Sequence, residues 1–109
     1  MAKQKQQAPV QNPTDLPAVV VKDQPGPFEV GKAYFIRTVT YHLTGRVARI
    51  VDGFLLLDEA AWIADSGRFM DALATGKLNE VEPVGKAIVN LSAVTDAFPW
   101  IHPLPEKQQ

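Results

Sequence analysis

The side chains of this 109-residue sequence that could do chemistry are few, and their types narrow what they can do. Its arginines are Arg37, Arg46, Arg49 and Arg68, and its histidines are His42 and His102. A metal site would need both histidines and several carboxylates to converge from distant parts of the chain. Asp58 and Glu59 are neighbours in a run that reads as a strand, so they point to opposite faces and cannot work as an acid–base pair on one substrate. There is no cysteine, which excludes disulfides, thiolate zinc sites and thiol nucleophiles. No Gly-rich phosphate loop and no His-x-x-x-His or His-Glu pairing occurs. The expectation is therefore a non-enzymatic protein with no metal and no cofactor.

Binding of nucleic acid is the chemistry that the arginines leave open. Three or more of them brought together in each copy of a repeated assembly would make a cationic patch despite a formal net charge of -1. Tyr41, with Tyr34 and Phe35, has the ring to stack on a base. The competing reading is that Arg46 and Arg49 solvate the outer surface of a strand and pair with Asp58 or Glu59.

Composition sets the frame for these groups. Hydrophobic residues make up 46% and charged residues 21%, which fits one globular domain rather than a disordered or fibrous chain. A near-neutral total provides no global field toward nucleic acid or an anionic membrane. The longest apolar run before the core, residues 18–21, is too short for a bilayer span or a secretory leader. No membrane partner is expected.

Residues 1–27 differ from the rest. They are rich in Gln, Lys and Pro, with Pro9, Pro13, Pro17, Pro25 and Pro27, a composition that favours extended backbone. This segment reads either as a solvated tail or as an arm ordered on a neighbouring subunit. Val19, Val20 and Val21 support the arm, because an apolar run can add a strand to an open sheet edge.

From residue 28 the pattern is β. Residues 33–43, dense in β-branched and aromatic types, read as one long strand bent near Arg37 and Thr38. In that reading Phe35, Val39, Tyr41 and Leu43 share a face. Asp52-Gly53 is a two-residue hairpin turn of type I′ between residues 46–51 and 54–61, and Thr44-Gly45 is a second, weaker turn. Residues 54–57 are continuously apolar, as in a strand buried on both faces. The period then changes: Asp65 or Ser66 as N-cap, Phe69, Met70 and Leu73 at helical spacing, and Gly76 after the last turn place a short helix at about residues 66–75. Residues 79–84 form a short strand that Pro83 confines to an edge. Gly85-Lys86 is a turn, and residues 87–90 and 93–98 are two further short strands. The proline-rich tail, residues 99–109, is extended, with Trp100 and Ile101 docked and the last residues frayed. The sum is a mainly β chain of about five strands in a barrel-like array with one inserted helix.

This order of elements resembles the Sm-like family of small, strongly bent five-stranded barrels that form rings through their edge strands. Residues 45–60 are similar to the family's first motif: Gly45 precedes a strand, Asp52 sits near a turn, and a hydrophobic strand follows. Residues 88–99 are similar to the second, in which two short strands flank a tight turn. RNA-binding members carry a polar residue after the aromatic of the first motif and an Arg-Gly or Lys-His pair at the turn of the second. Here those positions hold Leu55 or Leu56, and Leu91 with Ser92, so the ring resemblance survives better than the RNA pocket. The helix between the motifs is also outside the usual pattern. With residues 61–69 and 80–83 included, the chain further resembles small Sm-like proteins of tailed bacteriophages.

The resemblance implies a homo-oligomeric ring in a virion or in the host cytoplasm, structural or decorating, with other phage structural proteins as partners. Val19, Val20, Val21, Trp62, Trp100 and Ile101 are its expected subunit-interface anchors. The alternative is a ring that binds RNA or DNA through Arg37, Arg46, Arg49, Arg68 and Tyr41.

Overall fold

The computed structural model describes residues 26–109. Five strands form one antiparallel sheet: β1 (Ala33–Thr38), β2 (His42–Val51), β3 (Phe54–Asp65), β4 (Glu80–Asn90) and β5 (Val94–Pro99). Their spatial order is β4-β3-β2-β1-β5. A short helix, α1 (Phe69–Thr75), lies between β3 and β4, and one 3-10 turn (Leu91–Ala93) joins β4 to β5. The fold is mainly β, a small, strongly bent five-stranded sheet with one inserted helix.

The bend comes from bulges. The β3–β4 register slips between Leu57 and Ala61, where Glu59 (φ 53) and Gly85 (φ 83) adopt left-handed backbone. An extra residue at such a point kinks the strand and raises its twist. The β2–β3 register slips near Gly45, where a Cβ would lie 3.1 Å from the Leu57 side chain. Gly45 is thus a close-approach position inside β2, not the turn that its type suggested. The expected turn at Gly85-Lys86 is likewise the bulge of one continuous β4, and the two short strands expected around it are one.

The bend divides the core in two. Tyr34, Ile36, Leu43, Val47, Leu55, Leu57, Ala60 and Val89 fill the inside of the curve. Phe35, Ala61, Ile63, Ala72, Leu78, Val81, Trp100 and Leu104 pack under the helix and the C-terminal tail. Strand β1 serves both, so Tyr34, Phe35 and Ile36 are all buried. The doubly buried strand is therefore β1 and not residues 54–57, whose Phe54 and Leu56 face outward while Leu55 and Leu57 are buried. Phe35 and Leu43 also fall in different clusters rather than on one face.

The expected long first strand is two strands. The chain reverses at residues 38–41, where the Thr38 N–H donates to the Tyr41 carbonyl at 2.8 Å. The Thr38 hydroxyl accepts from the Thr40 and Tyr41 amides. This side-chain mimic of a turn outcompetes the β propensity of Val39 and Thr40. Asp52 (φ 48) and Gly53 (φ 83) make the hairpin with positive φ at both positions, as the sequence required.

Helix α1 starts later than expected. Its N-cap is Arg68, without a side-chain bond, because Asp65 accepts from the Gly67 amide at 2.8 Å and so shapes the loop before the helix. Gly76 closes it with φ 79 and donates to the Ala72 carbonyl. Pro83 lies in β4, an edge strand of the sheet, where a missing N–H does no damage.

Candidate subunit interface

The sheet has two outer strands, β4 and β5, and they do not pair with each other. Among the described residues, no backbone pairs with the outer edge of β4 along residues 84–90, nor with that of β5. These edges offer unused donors and acceptors, a template for another strand. The 3-10 turn between them is fixed by Asn90, whose side-chain oxygen accepts from the Ser92 amide at 2.9 Å. The Leu91 amide donates to the Gly53 carbonyl at 2.9 Å, which brings the β2–β3 hairpin against the β4–β5 connection. This is where the two family-like motifs meet. It presents Asp52, Asn90 and Ser92, while Leu55 is fully buried and Leu56 half-buried.

Beside the open part of β4 runs an apolar band. Tyr41, Trp62, Val84 and Ile88 line one shallow cleft. Ile88 also belongs to a second, with Phe54, Leu56 and Arg49. Ile88 is 72% exposed and Trp62 55%. Cross-strand register sets Ile88 opposite Leu56, so their side chains share the outward face. A run of exposed large apolar groups on a small protein marks an interaction surface. The continuous apolar run at residues 54–57 hides this face in the sequence, since the alternation appears only in the burial of Leu55 and Leu57 against Phe54 and Leu56.

The structure does not gather the candidate nucleic-acid residues. Arg37 makes a bidentate pair with Asp96, at 2.7 and 2.6 Å, and its guanidinium lies 4.5 Å from the centre of the Phe69 ring and 5.5 Å from that of Phe98. The hydrogen bonds from Arg37 hold the Asp96 carboxyl below the usual carboxylate range. Arg46, opposite Ala33 at the other end of β1, donates to Glu59 at 3.0 Å and to the Gly31 carbonyl at 3.1 Å. Arg68 stands 3.9 Å from Asp71 on the helix. Asp58 is taken by Lys86 at 2.6 Å. Arg49 makes no ion pair among the described residues, and it and Tyr41 both border the apolar band. Arg46 thus takes the expected acidic partner, whereas Arg49 does not.

The expected anchors separate too. Trp62 is exposed on β3, with its ring centre 6.5 Å from that of Tyr41. Trp100 is only 4% exposed and is spent on the core of its own chain, beside Phe35. Ile101, the next residue, is 83% exposed instead of docked. Val19, Val20 and Val21, and the expected N-terminal arm except Gly26 and Pro27, lie outside the described residues. His42 packs on Phe35 and His102 on Trp100, and no group of three metal-ligating side chains occurs among the described residues. No helix of the described residues is long and apolar enough to cross a membrane.

No protein-family model and no curated protein matches the chain. Among solved structures it is similar to a heptameric archaeal Sm protein, described for its implications for the eukaryotic snRNP core. The TM-score is 0.48 and the identity 19%, over 64% of this chain and 87% of that one.

Proposed function

We propose that this protein is a non-enzymatic, Sm-like subunit that assembles with copies of itself into a ring, the β4 edge of one copy meeting the β5 edge of the next. The observation that carries this is the pair of edges, at the two ends of one sheet, that stay unused among the described residues, with Ile88 exposed in the open part of β4. Two different complementary edges make a head-to-tail contact, and such a contact closes into a ring when the rotation permits. A core this small also gains stability from burial between subunits.

The resemblance to phage-encoded members extends the reading to a structural or decorating component of a tailed phage particle, with Trp62 and Ile101 available for contacts between subunits. Arms at residues 1–27 would add to them. Nucleic-acid binding is the weaker alternative, since Arg37 and Arg46 are already engaged by carboxylates.

Light scattering on the full chain tests the ring. The expected mass is a fixed multiple of the chain mass that does not drift with concentration. Ile88→Glu should dissociate it while the circular dichroism spectrum stays unchanged. A full chain that is monomeric at all concentrations overturns the reading.

A further inference from the structure

The chain beyond β5 returns to the sheet. The Trp100 amide donates to the Ala33 carbonyl at 2.9 Å, and the Trp100 indole N–H to the Pro103 carbonyl at 3.3 Å. His102 Nε2 lies 2.7 Å from the Leu73 carbonyl at the end of the helix. Leu104 is buried in the same cluster as Leu78 and Val81. The chain then reaches the outer edge of β4. The Gln109 amide donates to the Val81 carbonyl at 3.0 Å, and the Val81 amide to the Gln109 carbonyl at 3.1 Å. The Gln108 side chain donates to Glu82 at 3.1 Å. The expected frayed end is therefore a paired one.

This divides the outer edge of β4 into three parts. The tail covers Val81 and Glu82. Pro83 has no N–H to offer. Among the described residues, nothing pairs with the stretch that is left, residues 84–90. Without the tail, Val81 would present both a free amide and a free carbonyl on an edge strand, next to the apolar shelf of Leu78.

We propose that residues 103–109 act as an edge strap, which limits the pairing of β4 with a second copy to residues 84–90 and so prevents open-ended association through the rest of the edge. The partner named here, a second copy, rests on the ring reading. The strap itself rests on the Val81–Gln109 pair. Natural sheets blunt their edges by covering them, and here the cover is a segment of the same chain held by two buried anchors, Trp100 and Leu104.

The test compares the full chain with a chain ending after Leu104, which keeps both anchors, and with Gln109→Pro, which deletes one of the two backbone bonds and nothing buried. Two quantities are read: the mass distribution by light scattering and the exchange rate of the Val81 amide. Val81 should exchange at least about tenfold faster in both variants. The shortened chain should show a broad, concentration-dependent mass distribution in place of a discrete one. A synthetic peptide of residues 100–109 added in trans should narrow it again. Unchanged mass and unchanged Val81 exchange in both variants overturn the strap. A full chain that is monomeric overturns the ring alone, because association gained on shortening still reports the strap. If the shortened chain unfolds, a chain ending after Gln108, which removes both Val81 bonds and nothing buried, decides instead: slow Val81 exchange in it overturns the proposal.

Discussion

Glu59 of β3 and Gly85 of β4 place left-handed backbone at one level of two adjacent strands, and the register closes around them with Ala60 opposite Gly85. Beyond this point β3 and β4 pass from one core cluster to the other. Leu55, Leu57 and Val89 lie on one side of it, and Ile63 and Val81 on the other. The paired bulges are how one sheet encloses two clusters.

Substitution at Gly85 should therefore report backbone strain alone. A Cβ there meets nothing within 4 Å among the described residues, but φ is 83. Gly85→Ala should cost about 1–2 kcal/mol, and Gly85→Asn less, since Asn tolerates this region. Gly45→Ala has the opposite cause. Its Cβ would sit 3.1 and 3.2 Å from two Leu57 atoms. Overpacking predicts a loss of about 1–3 kcal/mol, and trimming the neighbour with Leu57→Val should recover part of it. Urea denaturation of the three single variants and the double variant checks both.

Acid should weaken the β1–β5 contact. The hydrogen bonds from Arg37 lower the Asp96 pKa, so the folded state favours the ionised carboxylate more than the unfolded state does. This contribution is fully present above the ordinary carboxylate value, near about pH 4. It is lost as pH falls through the lowered folded value. The urea midpoint of the wild type should drop in that range more steeply than that of Asp96→Asn. Parallel profiles would show that the pair adds nothing.

Thr44 is wholly buried in β2, and its hydroxyl has no hydrogen-bond partner among the described residues. Replacing an unsatisfied hydroxyl with a methyl of the same shape removes a desolvation penalty. Thr44→Val is expected to raise stability by about 1 kcal/mol, read as a higher urea midpoint at an unchanged slope. A loss would mean that the hydroxyl is satisfied in solution.

Binding of single-stranded RNA or DNA is expected to be absent in an electrophoretic shift at both low and high salt. Phosphate contacts need several free cations, and of the four arginines Arg37 and Arg46 are held by carboxylates. Retardation at low salt that Arg49→Gln abolishes would establish the nucleic-acid reading instead.

Local chemistry was legible in the sequence. Asp52-Gly53 can hardly be anything but a primed hairpin turn, and Gly76 after an apolar helical stripe marks a helix end, because both depend on φ at one or two residues. The mainly β class and the inserted helix follow from periodicity in the same way. The break at Thr38 was less legible, since it turns on a hydroxyl choosing a local amide over a solvated rotamer.

What sequence could not decide was how strands face one another. Gly45 and Gly85 are the same residue type as Gly53, yet one admits a neighbouring strand and the other bends an edge, and neither makes a turn. Phe54 and Leu56 look like core in one dimension and face outward in three. Pairing of Arg37 with Asp96 joins residues far apart in the chain, as does pairing of Val81 with Gln109. Backbone preferences and turn chemistry are set by a residue and its immediate neighbours, so the amino-acid order alone determined them. Which side of a strand is covered, and which charge finds a partner, depends on long-range register, and only the tertiary structure decided that.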